Sequence, residues 1–569
     1  MPRIIRVNMQ TLEVKHQPVD KSYLRLGGRG LTSWIVSQEV PPTCHPLSEK
    51  NKLIIAPGLL SGTGVPLSNK LSIGAKSPMT GGIKESNVGG TTSFNLARLG
   101  IKAIILEGKP KDDALYVLHI SSDKVSLLQA NEYRGCGNYE LHQKLRERYG
   151  DRVSILSIGQ AGEMRLLAAS IASSDVKGHP SRHAARGGLG AVMGSKGIKA
   201  VITDKATSNQ IEIKDKKTLQ KLSKDLAQKL VQTKAGLTKY GTAQMVDTAN
   251  ALGGMASYNF HRGSFEQVEL INAETLYRNI TQRGGEPSVP CMPGCVVRCS
   301  NLYRDKNGRY LTSSLEYETI VLMGSNCGIS DLDVIASLDY HCDDYGLDTI
   351  DTGNVIALMM EAGVLPFGDG GRALKLLQEV EKGSVMGRVV GSGASVVGKI
   401  LGLDRVPVVK NQGMPAYDPR TFKGMGTTYA TSPMGADHTA GPAIPGRGGL
   451  DPSKTYELTD PRGQVELARD LQIIIAVCDA MGWCFFVGPD PNTMHLTAKL
   501  LNACYGWQVS FEDVVEMGRR ILRWERDFNR SAGFTKAHDR LPAFMLEEKQ
   551  PPSGRIFDVD QNEIENMFS

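Results

Sequence analysis

The chain of 569 residues lacks several features that mark specialised classes of protein. It has no run of five or six like charges, and 66 Lys and Arg residues against 60 Asp and Glu residues leave a net charge of only +6. This balance argues against a nucleic-acid-binding arm or a polybasic membrane patch, and suits at most an acidic protein partner. The most apolar later segment, 471–487, is interrupted by Asp479, so we expect no membrane insertion.

Signals for export and for a disulfide framework are also missing. The N-terminal residues contain neither an apolar run of signal-peptide length nor a twin arginine, so we expect a cytoplasmic protein. In that setting the ten cysteines are better explained as free thiols and metal ligands than as disulfides. No low-complexity tract occurs, and 41% hydrophobic residues fit a globular chain of about two to four domains.

Glycine is the residue type in excess. The 62 glycines make up about 11% of the chain, against a usual level near 7%, and they concentrate in the segments 26–100, 178–197 and 413–449. Such loops are either ordinary turns or places where the backbone approaches a ligand closely. The segment 186–196 has neither the spacing of a Walker A loop nor a strand before it, so neither a P-loop nor a Rossmann site is expected.

Hydrophobic periodicity changes character near residue 205. Before it, short β-branched runs alternate with Gly, Pro and Asn turns, which predicts strands at 52–56, 103–106, 115–120, 153–156 and 200–202. After the polar stretch 203–217, Leu219 and Leu226 mark one face of a helix that Asp215 is placed to cap.

Helical periodicity dominates the rest of the chain, as at Leu467, Leu471 and Ile474. A Gly- and Pro-rich span, 407–452, interrupts it and is expected to separate two helical domains. The fold class predicted is α+β, with a β-rich domain at 1–205 and two mostly helical domains at 206–410 and 411–569.

The strongest local signal is a group of three cysteines, Cys291, Cys295 and Cys299, with Cys484 far along the chain. An iron–sulfur cube takes four thiolates, commonly a local group of three and a remote fourth. Zinc in a four-cysteine site needs the same residue type, and three buried thiols on a helix are a third interpretation. The Pro-Gly pair inside the group disrupts a plain helix, so we favour the cluster.

A hexapeptide occurs twice, as DDYGLD at 343–348 and DAMGWC at 479–484. Each copy follows a helical pattern and carries a Gly that would end the helix. Asp343 or Asp479, one turn earlier, can direct its carboxylate past the helix end to accept two N–H bonds from a heterocycle such as a pterin. A pair of helix C-caps is the simpler interpretation, but the second copy ends on Cys484, the cysteine needed as fourth ligand.

Two candidate acid–base residues lie in largely uncharged surroundings. Glu318 is in the segment LEYETIVL at 315–322, and His438 is in TSPMGADH at 431–438. Both side chains are suited to proton transfer, although each taken alone is better explained as a hydrogen-bonded structural residue.

Several further segments occur in a fixed order along the chain: LGGRGL at 26–31, APGLLSGT at 56–63, SNVGG at 86–90, RGGLGAVMGSK at 186–196, EYET at 316–319 and YATS at 429–432. With the cysteine group and both hexapeptides, they make the chain resemble the aldehyde:ferredoxin oxidoreductase family of tungsten- or molybdenum-pterin enzymes from Ile4 to about Asp527. The resemblance implies an N-terminal double β-sheet domain that forms a base for two pterins, covered by two helical domains.

The cofactors implied by the resemblance are a tungsten (or molybdenum) bis-pyranopterin, Mg²⁺ bridging the pterin phosphates, and a [4Fe-4S] cluster. The cluster ligands would be Cys291, Cys295, Cys299 and Cys484, at x3 and x3 spacing within the group where the family commonly has x2 and x3. Residues matching the pterin-binding segments are Lys70 (where the family commonly has Arg), Asn87, Gly89, Arg186, Asp343, Leu347, Asp348, Asp479 and Trp483. Glu318 and His438 match residues beside the metal, and our hypothesis is that Glu318 exchanges the proton while His438 hydrogen-bonds the substrate oxygen.

The implied activity is oxidation of an aldehyde to a carboxylic acid. Electrons would leave singly through the cluster to a ferredoxin or an iron–sulfur partner subunit, because no nicotinamide or flavin motif is apparent. The partners expected are thus an aldehyde or small acid substrate and that electron carrier, in a homo-oligomer or a hetero-complex. Relatives that reduce aromatic acyl thioesters within larger complexes supply one alternative, and a non-catalytic iron–sulfur or zinc protein supplies another.

Overall fold

Two six-stranded β-sheets form the N-terminal part of the chain in the computed structural model, which describes residues 2–207 and 209–568. The first sheet contains β1 (Arg3–Asn8), β2 (Glu13–Pro18), β3 (Leu53–Pro57), β4 (Leu71–Lys76), β5 (Ile83–Val88) and β6 (Ile101–Glu107). The second contains β7 (Tyr116–Ile120), β8 (Val125–Gln129), β9 (Ser154–Ser157), β10 (Ile171–Ser173), β11 (Arg182–Ala184) and β12 (Ile198–Thr203). The helices of this part are α1 (Gly28–Glu39), α2 (Thr92–Arg98), α3 (Asn138–Tyr149), α4 (Gln160–Glu163) and α5 (Leu189–Ser195).

The two sheets repeat one connectivity. Their strand orders are β2-β1-β6-β3-β4-β5 and β11-β10-β9-β12-β7-β8. In each, a hairpin is followed by a helix and three antiparallel strands, and the last strand returns to pair in parallel with the first, β6 beside β1 and β12 beside β7. Thus β3 corresponds to β9, β5 to β11, and α1 to α3.

Strand alternation explains how the sheets stack. Successive side chains point to opposite faces, so Ile55 lies in the core between the two sheets while Ile54 packs towards α1. In the second sheet, Leu156 faces the same central core and Ile155 packs towards α3. The N-terminal part is therefore a helix–sheet–sheet–helix stack, and the predicted α+β class is confirmed.

Helices make up most of the remaining chain. They are α6 (Lys216–Thr233), α7 (Ala235–Tyr240), α8 (Met245–Leu252), α9 (Ala273–Gln282), α10 (Tyr317–Met323), α11 (Leu332–Tyr345), α12 (Thr349–Glu361), α13 (Gly370–Glu381), α14 (Val385–Val390), α15 (Ala394–Leu401), α16 (Lys423–Thr431), α17 (Gln464–Met481), α18 (Pro491–Tyr505), α19 (Phe511–Ser531), α20 (Ala543–Glu547) and α21 (Gln561–Asn566). Short strands are β13 (Glu286–Val289), β14 (Ser300–Arg304), β15 (Tyr310–Ser313), β16 (Val408–Val409) and β17 (Gln412–Gly413).

Most of the elements expected from periodicity are present. The five predicted strands correspond to β3, β6, β7, β9 and β12, and Asp215 caps α6 by accepting a hydrogen bond from the backbone N–H of Thr218 at 3.0 Å. The span 407–452 is not wholly irregular, because it contains α16, every residue of which is buried. Within the described residues no single helix is long and apolar enough to cross a bilayer; α10 with the turn after it, Tyr317–Cys327, and α11 pass that test only as a pair bent by 117°.

Candidate functional site

The first hexapeptide lies where α11 ends against the second sheet. Gly346 takes a left-handed φ of 75° and ends the helix, as the sequence predicts. Asp343 is buried in the last turn, with Oδ1 3.0 Å from Nε2 of His183 on β11. The side-chain amide of Asn138, at the start of α3, donates to the backbone oxygen of Asp343 at 2.7 Å. The helix end is thereby fixed to α3 and β11 together.

The second hexapeptide lies where α17 ends against the first sheet. Gly482 ends this helix with a φ of 79°. Asp479 Oδ2 is 3.2 Å from Nη1 of Arg29, a buried residue in the first turn of α1. Arg29 also makes a two-pronged pair with the buried Glu525 of α19, at 2.9 and 2.8 Å. The carboxylate of Asp479 is thus held by a cation that is itself fixed by a second anion.

Glycines after equivalent strands allow both helix ends to approach the sheets. A Cβ on Gly58, which follows β3, would lie 2.1 Å from the backbone nitrogen of Gly482. A Cβ on Gly159, after β9, would lie 2.4 Å from the backbone oxygen of Tyr345. Since β3 and β9 hold corresponding places in the two sheets, the hexapeptides dock at corresponding places too. The site therefore has two equivalent halves, each with one aspartate.

A second buried carboxyl group lies beside each of these aspartates. Burial raises the pKa of Asp479 to about 6, although Arg29 opposes this. Burial, with Asp479 nearby, raises the pKa of Glu85 on β5 to about 8. In the other half, burial and then the charge of Asp343 raise the pKa of Asp339 well above its usual range. Each half thus offers acceptor oxygens next to a carboxyl that keeps its proton more readily than usual.

The four predicted cluster cysteines lie together. Cys291 and Cys299 bound the loop between β13 and β14, Cys484 follows α17, and all pack in one apolar cluster with the half-buried Cys295. A hydrogen bond from the Cys295 thiol, helped by nearby Lys70, outweighs burial and lowers the pKa of Cys291 to about 5. Burial raises the pKa of Cys484 to about 11. The thiols are near enough for the charge on one to raise the pKa values of the others.

A four-cysteine zinc site would place all the sulfurs about 2.3 Å from one ion. Among residues 2–207 and 209–568, no group of three or more His, Cys, Asp or Glu side chains is arranged to hold a single metal ion. What the described cysteines provide is four thiols close together. Coordination by all four in a cluster is still a prediction.

Two cations face the cysteine group. Burial lowers the pKa of Lys70, but Cys291 and Cys484 more than offset this, so its pKa is raised. Arg182, buried on β11, also lies near Cys291 and Cys299, and donates hydrogen bonds to the hydroxyls of Ser300 and Ser314. Both side chains are placed to stabilise negative charge on the sulfurs. Lys70 was expected here from the sequence, but Arg182 was not.

Asn87 and Gly89 lie at the end of β5, next to the cysteine loop. The Nδ2 of Asn87 is buried and has no hydrogen-bond partner. A Cβ on Gly89 would lie 3.2 Å from the backbone oxygen of Cys291, and the N–H of Gly90 donates to that oxygen at 2.8 Å. In the structure the close neighbour of Gly89 is thus the cysteine loop, and its predicted place in a pterin-binding segment remains a prediction.

Glu318 and His438 face each other. Glu318 is buried on α10, and its Oε2 accepts a hydrogen bond from the N–H of Ala416 at 2.8 Å. Its Oε1 lies 3.7 Å from Nδ1 of His438, and neither of these buried atoms has a hydrogen-bond partner. Burial raises the pKa of Glu318. The pair is therefore an open acid–base couple, in which two buried polar atoms without hydrogen-bond partners face each other.

Two further ion pairs lie beside this couple. Arg186 donates to the backbone oxygen of Ala436 and lies 3.3 Å from Asp348, which in turn caps α12. Lys84 on β5 pairs with Asp437 at 3.0 Å. Despite burial, Lys84 and Arg186 hold the pKa of Asp437 far below its usual range. These ion pairs connect the loop that carries His438 to both sheets.

The remaining predicted site residues are apolar and buried. Leu347 forms an isolated β-bridge with Ala169 beside the second sheet. Trp483 is 1% exposed, and its indole nitrogen donates to the hydroxyl of Thr497 at 3.3 Å. Both residues therefore anchor the segment that follows the end of a helix, Leu347 after α11 and Trp483 after α17. A direct contact with a cofactor stays a prediction for each.

Several buried polar atoms without partners lie among these residues and their contacts. They include Ser72 Oγ, Glu85 Oε1, Asn87 Nδ2, Ser173 Oγ, Arg182 Nε, Glu318 Oε1 and His438 Nδ1. A buried polar group left unpaired costs about 1–3 kcal/mol, so such a cluster of them is typical of a site that binds a polar group. A heterocyclic cofactor with phosphate groups fits this mixture of donors and acceptors.

Several of these residues carry no motif that single-sequence reasoning recognises. Glu85 is next to Lys84, Arg182 is next to His183, and Glu525 lies in the charged segment RWERD at 523–527. Nothing in the sequence distinguishes these three from charged residues on a solvated surface. Arg29 and Asp437 lie within segments noted above but were not singled out.

The chain is similar to known proteins over nearly its whole length. A family model described as the N-terminal domain of aldehyde ferredoxin oxidoreductase matches residues 4–205, and one described as its domains 2 and 3 matches residues 217–569. The chain is 33% identical to tungsten-containing aldehyde ferredoxin oxidoreductases of Pyrococcus horikoshii and Pyrococcus furiosus, over 96% of this chain and 92% of each relative.

More distant similarity extends to other enzymes. The WOR-like subunit of an aliphatic sulfonate oxidoreductase from Pyrococcus furiosus is 28% identical over 78% of this chain and 75% of that protein. The fold is similar to that of the active site complex of benzoyl coenzyme A reductase, with a TM-score of 0.82 at 20% identity, covering 99% of this chain and 92% of that one. On the family match over nearly its whole length, the chain belongs to the aldehyde ferredoxin oxidoreductase family of oxidoreductases.

Proposed function

We propose that this protein oxidises aldehydes to carboxylic acids with a tungsten- or molybdenum-pterin cofactor and passes the electrons through a [4Fe-4S] cluster to a ferredoxin or an iron–sulfur partner subunit. The observation that carries the proposal is the open couple of Glu318 and His438, 3.7 Å apart and each with an unpaired buried atom. An acid–base couple of this kind is what removal of protons from an aldehyde hydrate requires.

Glu318 is suited to accept a proton. Its Oε2 is held by the backbone N–H of Ala416, so Oε1 is the oxygen free to act. Because burial raises the pKa of Glu318, the carboxylate is a stronger base than an exposed glutamate. His438, across the gap, is placed to hydrogen-bond a substrate oxygen. The metal–pterin group supplies, when bound, the acceptor for the two electrons.

The two halves of the site suggest how the chain holds that group. We assign Asp479 and Asp343 to the two pterin rings, because each carboxylate is fixed at an equivalent helix end beside a proton-bearing carboxyl. Asn87, with its unpaired amide, and Arg186 are assigned to the more polar parts of the cofactor. The Mg²⁺ ion between the phosphates belongs to the same proposal.

The cysteine group supplies the exit for electrons in this proposal. Cys291, Cys295, Cys299 and Cys484 would hold the cluster. Lys70 and Arg182 place two positive charges against these sulfurs, which favours deprotonated, metal-binding thiolates. The backbone N–H of Lys70 donates to the backbone oxygen of Gly482 at 2.9 Å, so Lys70 connects the cysteine group to the second hexapeptide.

The substitution Glu318→Gln tests the assignment of the base. We expect the variant to keep its tungsten or molybdenum and its iron, since the amide still accepts the hydrogen bond from Ala416. Aldehyde-dependent reduction of a viologen dye should fall by about 10²–10⁴-fold, the usual contribution of a general base. The measurement is viologen reduction under anaerobic conditions, with metal content determined on the same sample.

Glu361→Gln is the matched control, because Glu361 on α12 pairs with the side chain of His261 at 2.9 Å, away from the proposed couple. It should retain full activity. If Glu318→Gln also retained activity, the assignment of Glu318 as the base would be wrong.

A second candidate substrate is an aromatic acyl thioester, as in the benzoyl coenzyme A reductase whose fold is similar. At 20% identity that similarity extends to the fold alone, so we place the aldehyde first. Two viologen assays separate the candidates: an aldehyde substrate would reduce oxidised viologen, whereas an aromatic acyl thioester substrate would oxidise reduced viologen. A non-catalytic electron-transfer role is not favoured, because the chain belongs to a family of oxidoreductases.

A further inference from the structure

The surface around Cys295 is the part of the molecule closest to the proposed electron exit. Cys295 is half-buried, whereas Cys291, Cys299 and Cys484 are buried. The neighbouring Arg298 is exposed, with a left-handed φ of 51°, and its backbone N–H points to the sulfur of Cys295 at 3.4 Å. Among the four thiols, Cys295 is therefore the one that an outside molecule approaches most closely.

The helices beside this loop bring lysines to the same surface. The hydroxyl of Thr238 on α7 donates to the backbone oxygen of Val297 at 2.8 Å, which fixes α7 against the cysteine loop. The next residue, Lys239, is exposed and lies over the rings of Tyr240 and Tyr277 at 4.6 and 5.5 Å.

The cationic surface continues towards Cys484. Burial, then the charge of Arg447 and more weakly that of Lys229, lower the pKa of Lys234, and Asp490 opposes them. The three cations therefore lie in one region, next to Asp490. Arg447 lies 5.2 Å above the ring of Phe485, the residue directly after Cys484. The loop of Arg447 and the junction of α6 and α7 thus meet over the segment that carries the fourth cysteine.

We define the cationic patch as Lys229, Lys234, Lys239, Arg298 and Arg447. Acidic residues near the patch include Asp490, beside Lys234, Glu274, beside Lys239, and Asp225, one helical turn before Lys229 on α6. Three cations of the patch are exposed and two are half-buried. Five positive charges against these three negative ones give the patch an excess of positive charge that the nearly balanced whole chain does not have.

We propose that the cationic patch is the docking surface for an acidic, single-electron iron–sulfur carrier. The inference rests on the proposed function, since it assumes a cluster at the four cysteines. Charge complementarity brings the carrier to the half-buried Cys295 and raises the rate of productive encounters. Each encounter moves one electron from the reduced cluster to the oxidised carrier, so two encounters balance the two electrons removed from one aldehyde.

Charge reversal at the exposed residues Lys229 and Lys239 tests the patch. The double variant Lys229→Glu and Lys239→Glu should raise the Kd for an oxidised acidic single-cluster ferredoxin about tenfold at low ionic strength, measured by calorimetry on the metal-loaded enzyme. The KM for that ferredoxin in aldehyde oxidation should rise by a similar factor. Neither residue belongs to the site, so benzyl viologen reduction, iron content and Tm should stay unchanged.

Salt and a control variant complete the experiment. Binding to the unmodified enzyme should weaken as the salt concentration rises from about 0.05 M to 0.5 M, and the variant should have lost most of that dependence. Charge reversal at Lys50 and Lys124, exposed lysines of the N-terminal part, should change neither the Kd for the ferredoxin nor its dependence on salt.

An unchanged ferredoxin Kd and KM in the patch variant, with viologen activity intact, would overturn the docking proposal. The proposal would also be overturned if the Kd for ferredoxin binding to the unmodified enzyme did not depend on the salt concentration. Absence of aldehyde-dependent viologen reduction in the unmodified enzyme bears instead on the proposed function, and calorimetry still decides whether the patch binds the carrier.

Discussion

At the scale of single residues, some polar atoms of the site are held by hydrogen bonds and others have no partner. The two oxygens of Glu318 differ in this way, since Oε2 accepts from Ala416 while Oε1 faces His438 without a partner. An oxygen held in a buried position without a partner is costly, which is the expected state of a group that acts on a substrate.

The pH dependence of the reaction follows from Glu318. A base acts when deprotonated, and burial raises the pKa of Glu318 above its ordinary value of 4.5. We therefore expect kcat/KM for the aldehyde to rise with pH through an apparent pKa above 4.5. Because His438 lowers the pKa of Glu318, His438→Asn should move this acid limb to higher pH. A limb at or below 4.5, or one that moves downward in the variant, contradicts the assignment.

The raised pKa of Glu85 makes the stability of the protein depend on pH. Its pKa is about 8 in the folded protein against 4.5 for the free side chain, so its contribution to stability is complete below pH 4.5 and disappears as pH rises through 8. Between pH 5 and 8 the cofactor-free protein should lose on the order of 2–4 kcal/mol of stability from this group. Thermal unfolding followed across that range should give a smaller fall in Tm for Glu85→Gln, and an equal fall in both proteins would show that Glu85 is not the cause.

At the scale of helices and strands, local patterns predicted much of what forms. The β-branched runs became β3 and β9, Asp215 caps α6, and the hexapeptide glycines end α11 and α17. The helix α16 escaped prediction because its sequence, KGMGTTYAT, is rich in Gly and Thr, which have low helix propensity. Burial of all nine of its residues stabilises it through packing, which is a tertiary effect that no local pattern reports.

The contact between α17 and the first sheet depends on Gly58. A Cβ there would meet the backbone of Gly482 at 2.1 Å and that of Met481 at 2.3 Å, and neither can move without displacing the second hexapeptide. We expect Gly58→Ala to destabilise the protein by about 3 kcal/mol or more and to lower its iron content, since Cys484 follows that helix end.

Gly448→Ala is the matched control, because a Cβ at Gly448 would have nothing within 4 Å. Its Tm and iron content should equal those of the unmodified protein. Equal stability of Gly58→Ala and Gly448→Ala would mean that the position of α17 does not depend on the close approach of its end to Gly58.

At the scale of the whole molecule, the repeated connectivity of the two sheets explains why the site has two halves. The corresponding strands β3 and β9 each receive one helix end, one from α17 and one from α11. Family resemblance predicted a double-sheet base, but the pairs that close the site join residues hundreds of positions apart, such as Arg29 with Asp479 and Glu525. No periodicity or spacing encodes such pairs. The division of the helical part into domains at 206–410 and 411–569 also remains a prediction.

The most direct test of the account is the metal content of the protein purified without oxygen. A chain that holds the proposed metal–pterin cofactor and one [4Fe-4S] cluster should contain about one tungsten or molybdenum and about four iron atoms. Elemental analysis of the purified protein measures both at once. Zinc or iron alone, with neither tungsten nor molybdenum, would contradict the central claim that this site holds a metal–pterin centre.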